Sequence, residues 1–307
     1  MPNLTRRAAL AAGAALPAAA LIPATVARAD AHASGPAQPK ARGAMLGEMT
    51  VTALLAGTAT REGDQQETFG MNVSPETFAE VSRAAFIPTD AAQFFFTPTV
   101  VQAGENTILF DTGLNAAGIT GALAQAGIAP GDVTHVVLTH FHGDHIGGLM
   151  NEGSPTFANA AYIAPQAEFD HWSANPNDGF TNNVQPLAEG MSFVSDGDEI
   201  APGITAMAMH GHTPGHTGFM LSSGDSALLI TGDMTNHYVW SLAHPDWEVR
   251  FDMDKEAAAA TRRRVLGMVA AERIPMLGYH MPFPAMGFVE ASGDGFRWVP
   301  ESYQLML

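Results

Sequence analysis

From Glu48 onward, apolar residues fall in short, partly alternating runs, and such runs predict strands. The first two cover residues 49–55 and 94–101. A third, Asn106-Thr107-Ile108-Leu109-Phe110, stops at Asp111-Thr112-Gly113, as a buried strand does on entering a loop. A helix is predicted over 116–127, then a β-branched run over 133–139 that feeds a histidine-rich turn, and a further helix starting in 147–150. The second half predicts strands at 161–164, 204–209, 217–221 and 227–231, each bounded by Gly, Pro or Asp. The best helix is 254–272, with Val265, Leu266, Met268 and Val269 facing inward and Arg262, Arg263 and Arg264 assigned to its outer side. A short strand at 274–277 then leads to His280. Alternating strands and helices predict an α/β fold. With no linker after residue 45 and no internal period, residues 46–307 read as one domain.

The beginning of the chain departs from this pattern. Thr5-Arg6-Arg7 precedes an uncharged, alanine-rich run to Ala27 and a small-residue exit at Arg28-Ala29-Asp30-Ala31. That order reads as an export signal over 1–30, and the paired arginines point to the twin-arginine route, which carries folded proteins to the periplasm or beyond. A retained anchor is the alternative, because the run approaches the roughly 20 apolar residues that span a bilayer, but alanine is too weakly hydrophobic to favour it. No stable membrane span is therefore expected after signal removal. Residues 31–45 read as a flexible leader.

Composition narrows the chemistry. Hydrophobic residues make up 46% and charged ones 15% of the 307, enough apolar material for a buried core. The net charge of −17, nearer to about −20 once the signal arginines go, makes nucleic acid an unsuitable partner. There are no cysteines, so disulfides, thiolate ligands and a cysteine nucleophile are excluded. Any metal must be held by His, Asp and Glu.

The strongest chemical signal is Thr139-His140-Phe141-His142-Gly143-Asp144-His145 at the end of a predicted strand. In an extended segment alternate side chains face one way, so His140 and His142 can converge on one cation, and the following turn can aim Asp144 and His145 at a second. This cluster resembles the H-x-H-x-D-H motif of the metallo-β-lactamase superfamily. Gly211-His212-Thr213-Pro214-Gly215-His216 is similar to that family's third-histidine loop, Thr231-Gly232-Asp233 to its bridging carboxylate, and Gly278-Tyr279-His280 to its last ligand. Asp111-Thr112-Gly113 matches an early turn that supports the site from outside. The resemblance implies a four-layer αββα sandwich. It also implies one divalent cation on His140, His142 and His212 and a second on Asp144, His145 and His280, with Asp233 bridging. His216 reads as a packed neighbour rather than a ligand. Zinc is the first expectation, though the same donors accept manganese, cobalt or iron.

The C-terminal stretch from His280 to Pro300 looks like the tail of methyl parathion hydrolase and its relatives. That likeness implies hydrolysis of a small neutral ester (aryl ester, lactone or phosphotriester) by a metal-bridging hydroxide, with Asp144 and Asp233 as the catalytic carboxylates. The related lactonases carry a tyrosine three residues after the bridging aspartate, where this chain has Asn236. Trp172 and Phe180 are candidates for an apolar substrate pocket, with packing beneath a loop as the equal alternative, and Tyr279 and His237 stand close enough in sequence to reach a substrate. Other readings are a β-lactamase-type amide hydrolase and a non-catalytic periplasmic metal- or ligand-binding protein. A homodimer is compatible with the sequence.

Overall fold

In the computed structural model, which describes residues 40–302, the chain enters through β1 (Ala41–Leu46) and β2 (Met49–Leu54). It then leaves the sheet for a ribbon of β3 (Gly57–Glu62) and β4 (Ala91–Phe96) and returns as β5 (Thr99–Ala103) and β6 (Asn106–Phe110). After β7 (His135–Val137) and a minor hairpin of β8 (Met150–Asn151) and β9 (Ser154–Pro155) come β10 (Ala161–Pro165) and β11 (Met191–Val194). The first sheet runs β1-β2-β5-β6-β7-β10-β11. The second takes its seven strands in chain order: β12 (Glu199–Ala201), β13 (Ile204–Ala208), β14 (Thr217–Ser223), β15 (Ser226–Ile230), β16 (Met276–Leu277), β17 (Met286–Ser292) and β18 (Gly295–Pro300). The expected export signal lies outside the described residues. The segment expected to be leader is in part structured: β1 pairs with β2 from Ala41↔Leu54 to Leu46↔Met49, so the sheet begins at Ala41 rather than at residue 46.

Alternation explains why the first sheet is buried on both faces. Val101, Ile108, Phe110 and Val137 pack toward the second sheet with Phe219, Leu221, Leu229 and Met276. Their strand neighbours Val100, Leu109 and Val136 pack the other way, against Ile119, Ala122 and Leu123 of a helix. That helix, Ala116–Gln125, is capped by Asn115, whose side chain accepts from Gly118 N. On the far side of the second sheet, Lys255–Glu272 is capped by Asp254 and buries Val265, Leu266 and Val269. The result is the helix–sheet–sheet–helix sandwich expected from the sequence.

Three local expectations need correction. The run 94–101 is not one strand: Thr97-Pro98 break it, and its halves join different sheets because proline cannot donate to a continuing ladder. The helix at the histidine-rich turn is the single turn Gly143–Ile146 and does not begin at 147–150. There Gly148 passes so close to the Thr112 carbonyl that a Cβ would sit 2.2 Å from it. Finally, Arg262 is not on the outer side of its helix but wholly buried, for a reason that belongs to the site.

Candidate metal centre

Strand direction assembles the site. β6 and β7 are parallel neighbours, as are β15 and β16, and β13 runs in the direction of β15 because both are antiparallel to β14. The C-terminal ends of these five strands therefore emerge at one end of the sandwich and deliver Asp111, His140 and His142, His212, Asp233 and His280 to one place. The single-turn helix after β7 adds Asp144 and His145.

The seven residues expected from the sequence fall into two groups whose donor atoms lie within 4.8 Å of one another: His140, His142, His212 and Asp233, and Asp144, His145, Asp233 and His280. Asp233 belongs to both. His142 Nδ1 stands 3.1 Å from His140 Nε2 and 2.9 Å from His212 Nε2. Nitrogens about 2.05 Å from a tetrahedral cation are about 3.3 Å apart, so these three are spaced for a shared ion. Asp233 places Oδ1 3.1 Å from His145 Nε2 and Oδ2 3.1 Å from His280 Nε2. Both His145 Nε2 and Asp233 Oδ1 are buried without a hydrogen-bond partner. Two such atoms pointing at each other are costly unless something else satisfies them, and a donor set of imidazole nitrogens and carboxylate oxygens suits a divalent cation of the zinc or manganese kind.

Burial alone would strip protons from these imidazoles, and it does so at His140, held well below the usual range, and at His142 and His216, pulled to about 3, with neighbouring histidines adding to the effect. At His212 and His280 the aspartates overcome burial. Hydrogen bonds to Asp233 and Asp252 hold His212 up to about 9, and Asp233 and Asp144 hold His280 up to about 10. Burial works against ionised Asp144 and Asp233, but the surrounding histidines keep the first down to about 2 and the second well below the carboxylate range. A cation must displace protons from His212 and His280, so metal affinity is expected to rise from pH 6 to pH 9 with proton release. Calorimetry in buffers of different ionisation enthalpy measures this, and binding without proton release contradicts the assignment.

The outer partners come from distant parts of the chain. Asp111, at a strained φ of 60°, accepts from Thr139 N at 2.8 Å and bonds His145 Nδ1 at 2.8 Å, so His145 offers Nε2 to the centre. His216 lies outside both groups, its Nε2 accepting from Asp233 N at 3.0 Å. His212 Nδ1 bonds Asp252 Oδ1 at 3.1 Å, and Asp252 Oδ2 accepts from the buried Arg262 at 2.7 Å. Glu168, on the helix Gln166–Ala174, accepts from Phe141 N and Trp172 Nε1 through Oε1 and from Thr213 Oγ1 and Gly215 N through Oε2. One carboxylate thereby ties the H-x-H loop to the third-histidine loop. Glu168→Ala leaves four buried donors without it and is expected to lower unfolding free energy by about 3 kcal/mol or more, read by urea titration. A loss under about 1 kcal/mol would show the tie to be dispensable.

A cleft of about 470 Å³ opens over the two groups. Its aromatic walls are Phe94, Phe96 and Phe251, not the expected Trp172 and Phe180. Trp172 turns inward to reach Glu168, and Phe180 packs on Phe141 and Phe169, so both rings belong to the core under the first sheet. Tyr279 and His237 do not line the cleft either. The Tyr279 hydroxyl donates to the Asp144 carbonyl at 2.5 Å beneath His145, and His237 stacks on Trp240 behind the ribbon. Asn236 donates through Nδ2 to Asp233 Oδ2 at 3.1 Å and so steadies the shared carboxylate. The sequence carries no local sign of Asp252, Arg262 or Glu168, nor of Phe251 as a wall.

A family model described as metallo-beta-lactamase superfamily matches residues 97–276. Among curated proteins, an N-acyl homoserine lactonase of Bacillus sp is 26% identical over 159 residues, 50% of this chain and 58% of that protein. Metallo-beta-lactamase domain-containing protein 1 of Homo sapiens is 31% identical over 191 residues, 59% of this chain and 61% of that one. The chain thus spans little more than half the length of the curated relatives it matches. Among solved structures, AidC, described as a dizinc quorum-quenching lactonase in complex with a product, superposes with a TM-score of 0.77 at 24% identity, covering 86% of this chain and 99% of its own. The hydrolase AbOPH does so with a TM-score of 0.79 at 22% identity, covering 87% and 99%.

Proposed function

Because the chain belongs to the metallo-beta-lactamase superfamily, we propose that it is a binuclear metal-dependent hydrolase of small esters whose scissile group is uncharged: a lactone, an aryl ester or a phosphotriester. The observation that carries this reading is the meeting of seven imidazole and carboxylate side chains in two groups that share Asp233. His140, His142 and His212 would hold one cation, Asp144, His145 and His280 the other, and Asp233 both. When bound, such a pair supplies an acidified water and polarises the oxygen on which charge develops. The names of the lactonase relatives support an ester or lactone substrate.

The chain's own residues do the remaining work. Phe94, Phe96 and Phe251 give the cleft apolar walls that seat the organic part of an ester and keep bulk water from it. Asp144 lines the cleft and is ionised at neutral pH, and its Oδ2, 3.3 Å from His280 Nε2, would face the second cation as an anionic ligand. The Tyr279 hydroxyl is committed to a backbone carbonyl and does not serve as the acid. Zinc is the proposed metal, and a periplasmic or secreted location follows from the arginine-led segment at the start of the chain.

Elemental analysis of the purified protein, joined to a panel of p-nitrophenyl acetate, dihydrocoumarin, an acyl-homoserine lactone, methyl paraoxon and nitrocefin, tests the reading. Two metals per chain and turnover of one or more of the esters are expected, with loss of turnover on chelation and its return with zinc. A protein that holds two metals and cleaves none of the four esters overturns the proposal, and cleavage of nitrocefin alone reassigns it to amide hydrolysis.

A further inference from the structure

The cleft has a chemical polarity along its length. Its floor is the cluster of histidines and aspartates. Its middle is aromatic, with Phe96 and Phe94 standing edge-on to the His280 ring at 5.5 and 5.8 Å. Beyond them on the same ribbon comes Arg61, the only arginine or lysine among the described residues that line the cleft. Strand alternation puts it there. Ala59 and Arg61 on β3 share a face with Phe94 and Phe96 on β4, whereas Thr60 and Gln93, bonded to each other at 2.8 Å, line a separate cavity behind the ribbon. Arg61 pairs with Ala92, two residues past Phe94, which places its backbone about 7 Å farther from His280 along the strand.

The backbone under Arg61 is held in place, while its guanidinium is little used. The buried Gln65 donates to the Arg61 carbonyl at 3.1 Å and fixes the backbone beneath it. Its side chain makes no hydrogen bond among the described residues, and its one carboxylate neighbour, the exposed Glu67, stands 3.8 Å away. An exposed pair at that separation contributes about 1 kcal/mol at most and exchanges readily for a better-placed acceptor. The chain as a whole carries 31 acidic against 14 basic residues, so the cation at this mouth runs against the net charge. Arginine's planar fork matches a carboxylate through two parallel hydrogen bonds.

We propose that Arg61 determines specificity by binding a carboxylate on the part of the substrate remote from the bond cleaved, so that the preferred substrates are esters with an apolar spacer ending in a carboxylate. This rests on the ester-hydrolase reading above and refines it: the scissile group is uncharged while the tail is not.

The test compares p-nitrophenyl hemisuccinate, hemiglutarate and hemiadipate with p-nitrophenyl alkanoates of matched length, in the wild-type enzyme and in Arg61→Met and Arg61→Lys. The wild type is expected to favour at least one acid-tailed ester over its neutral match by tenfold or more in kcat/KM. Arg61→Met should abolish that preference by raising KM for the acid-tailed ester while changing neutral esters less than twofold, and Arg61→Lys should keep part of it. Hydrolysis of both series without preference, or an Arg61→Met loss equal for both, overturns the inference and leaves the hydrolase standing. Failure to cleave either series overturns the inference, and the hydrolase reading falls with it only if the lactones and the phosphotriester of the earlier panel are also left intact.

Discussion

Asp233→Ala is expected to lower ester hydrolysis by about 10³-fold or more, beyond the 10- to 100-fold typical of partners one step removed from a metal, and to leave the purified protein with fewer than one metal per chain. Asp233 is the only residue common to both groups. Its two oxygens reach His145 on one side and His212 and His280 on the other, at 3.1 to 3.3 Å. Removing it leaves two sets of three donors, the first wholly neutral, with no anion between two cations whose mutual repulsion then goes uncompensated. Asp233→Asn separates charge from shape, since it keeps the size and one acceptor and should still lose most activity. Metal analysis and steady-state kinetics on the same preparations decide the matter. Full activity in Asp233→Ala would refute the shared-carboxylate assignment.

The centre was largely legible in the sequence because its donors are locally encoded. Four of the seven sit on alternate or adjacent positions of one short segment, and His212, Asp233 and His280 each follow a short apolar strand. The strand ends could be read one by one, and parallel pairing of β6 with β7 and of β15 with β16 then brings them together. What supports the centre was not legible, because it depends on contacts across long stretches of chain. Glu168 reaches Thr213 across 45 residues and Asp252 reaches His212 across 40, and neither acid stands out from the other acidic residues in sequence. The cleft walls were misread for a related reason. Trp172 and Phe180 follow the histidine motif, yet Trp172 on the helix after β10 and Phe180 on the separate turn Phe180–Val184 both point into the core, while Phe94 and Phe96 precede the motif by more than forty positions and return on a ribbon outside the main sheets. Arginine on a helix usually marks the solvent face. Arg262 breaks that rule because its donors find the Pro245 and Trp247 carbonyls and the Asp252 carboxylate, which satisfy a buried cation.

That buried pair carries the second large expectation. Arg262→Met should destabilise the protein by about 3 to 5 kcal/mol at pH 7, the usual loss when one partner of a buried ion pair is removed and the other stays charged. Asp252 and Arg262 are both inaccessible to solvent along their side chains. Burial disfavours the Asp252 carboxylate, but hydrogen bonds from His212 and the guanidinium of Arg262 hold its pKa below the ordinary aspartate value. A carboxyl group lowered on folding contributes stability that is fully present above its unfolded value, about 3.9, and is lost as pH falls through its folded value. Without Arg262 the buried carboxylate escapes its penalty by taking a proton, so the gap between wild type and variant should narrow as pH falls from 7 toward 4. The same change loosens the acceptor that keeps a proton on His212 Nδ1 and leaves Nε2 free to face the centre, so metal affinity should drop by about 10- to 100-fold. Urea unfolding at pH 7 and at pH 4.5, with metal titration at pH 7, measures all three. A variant within about 1 kcal/mol of wild type at pH 7, or a gap that widens on acidification, would mean that Asp252 does not depend on Arg262 for its charge.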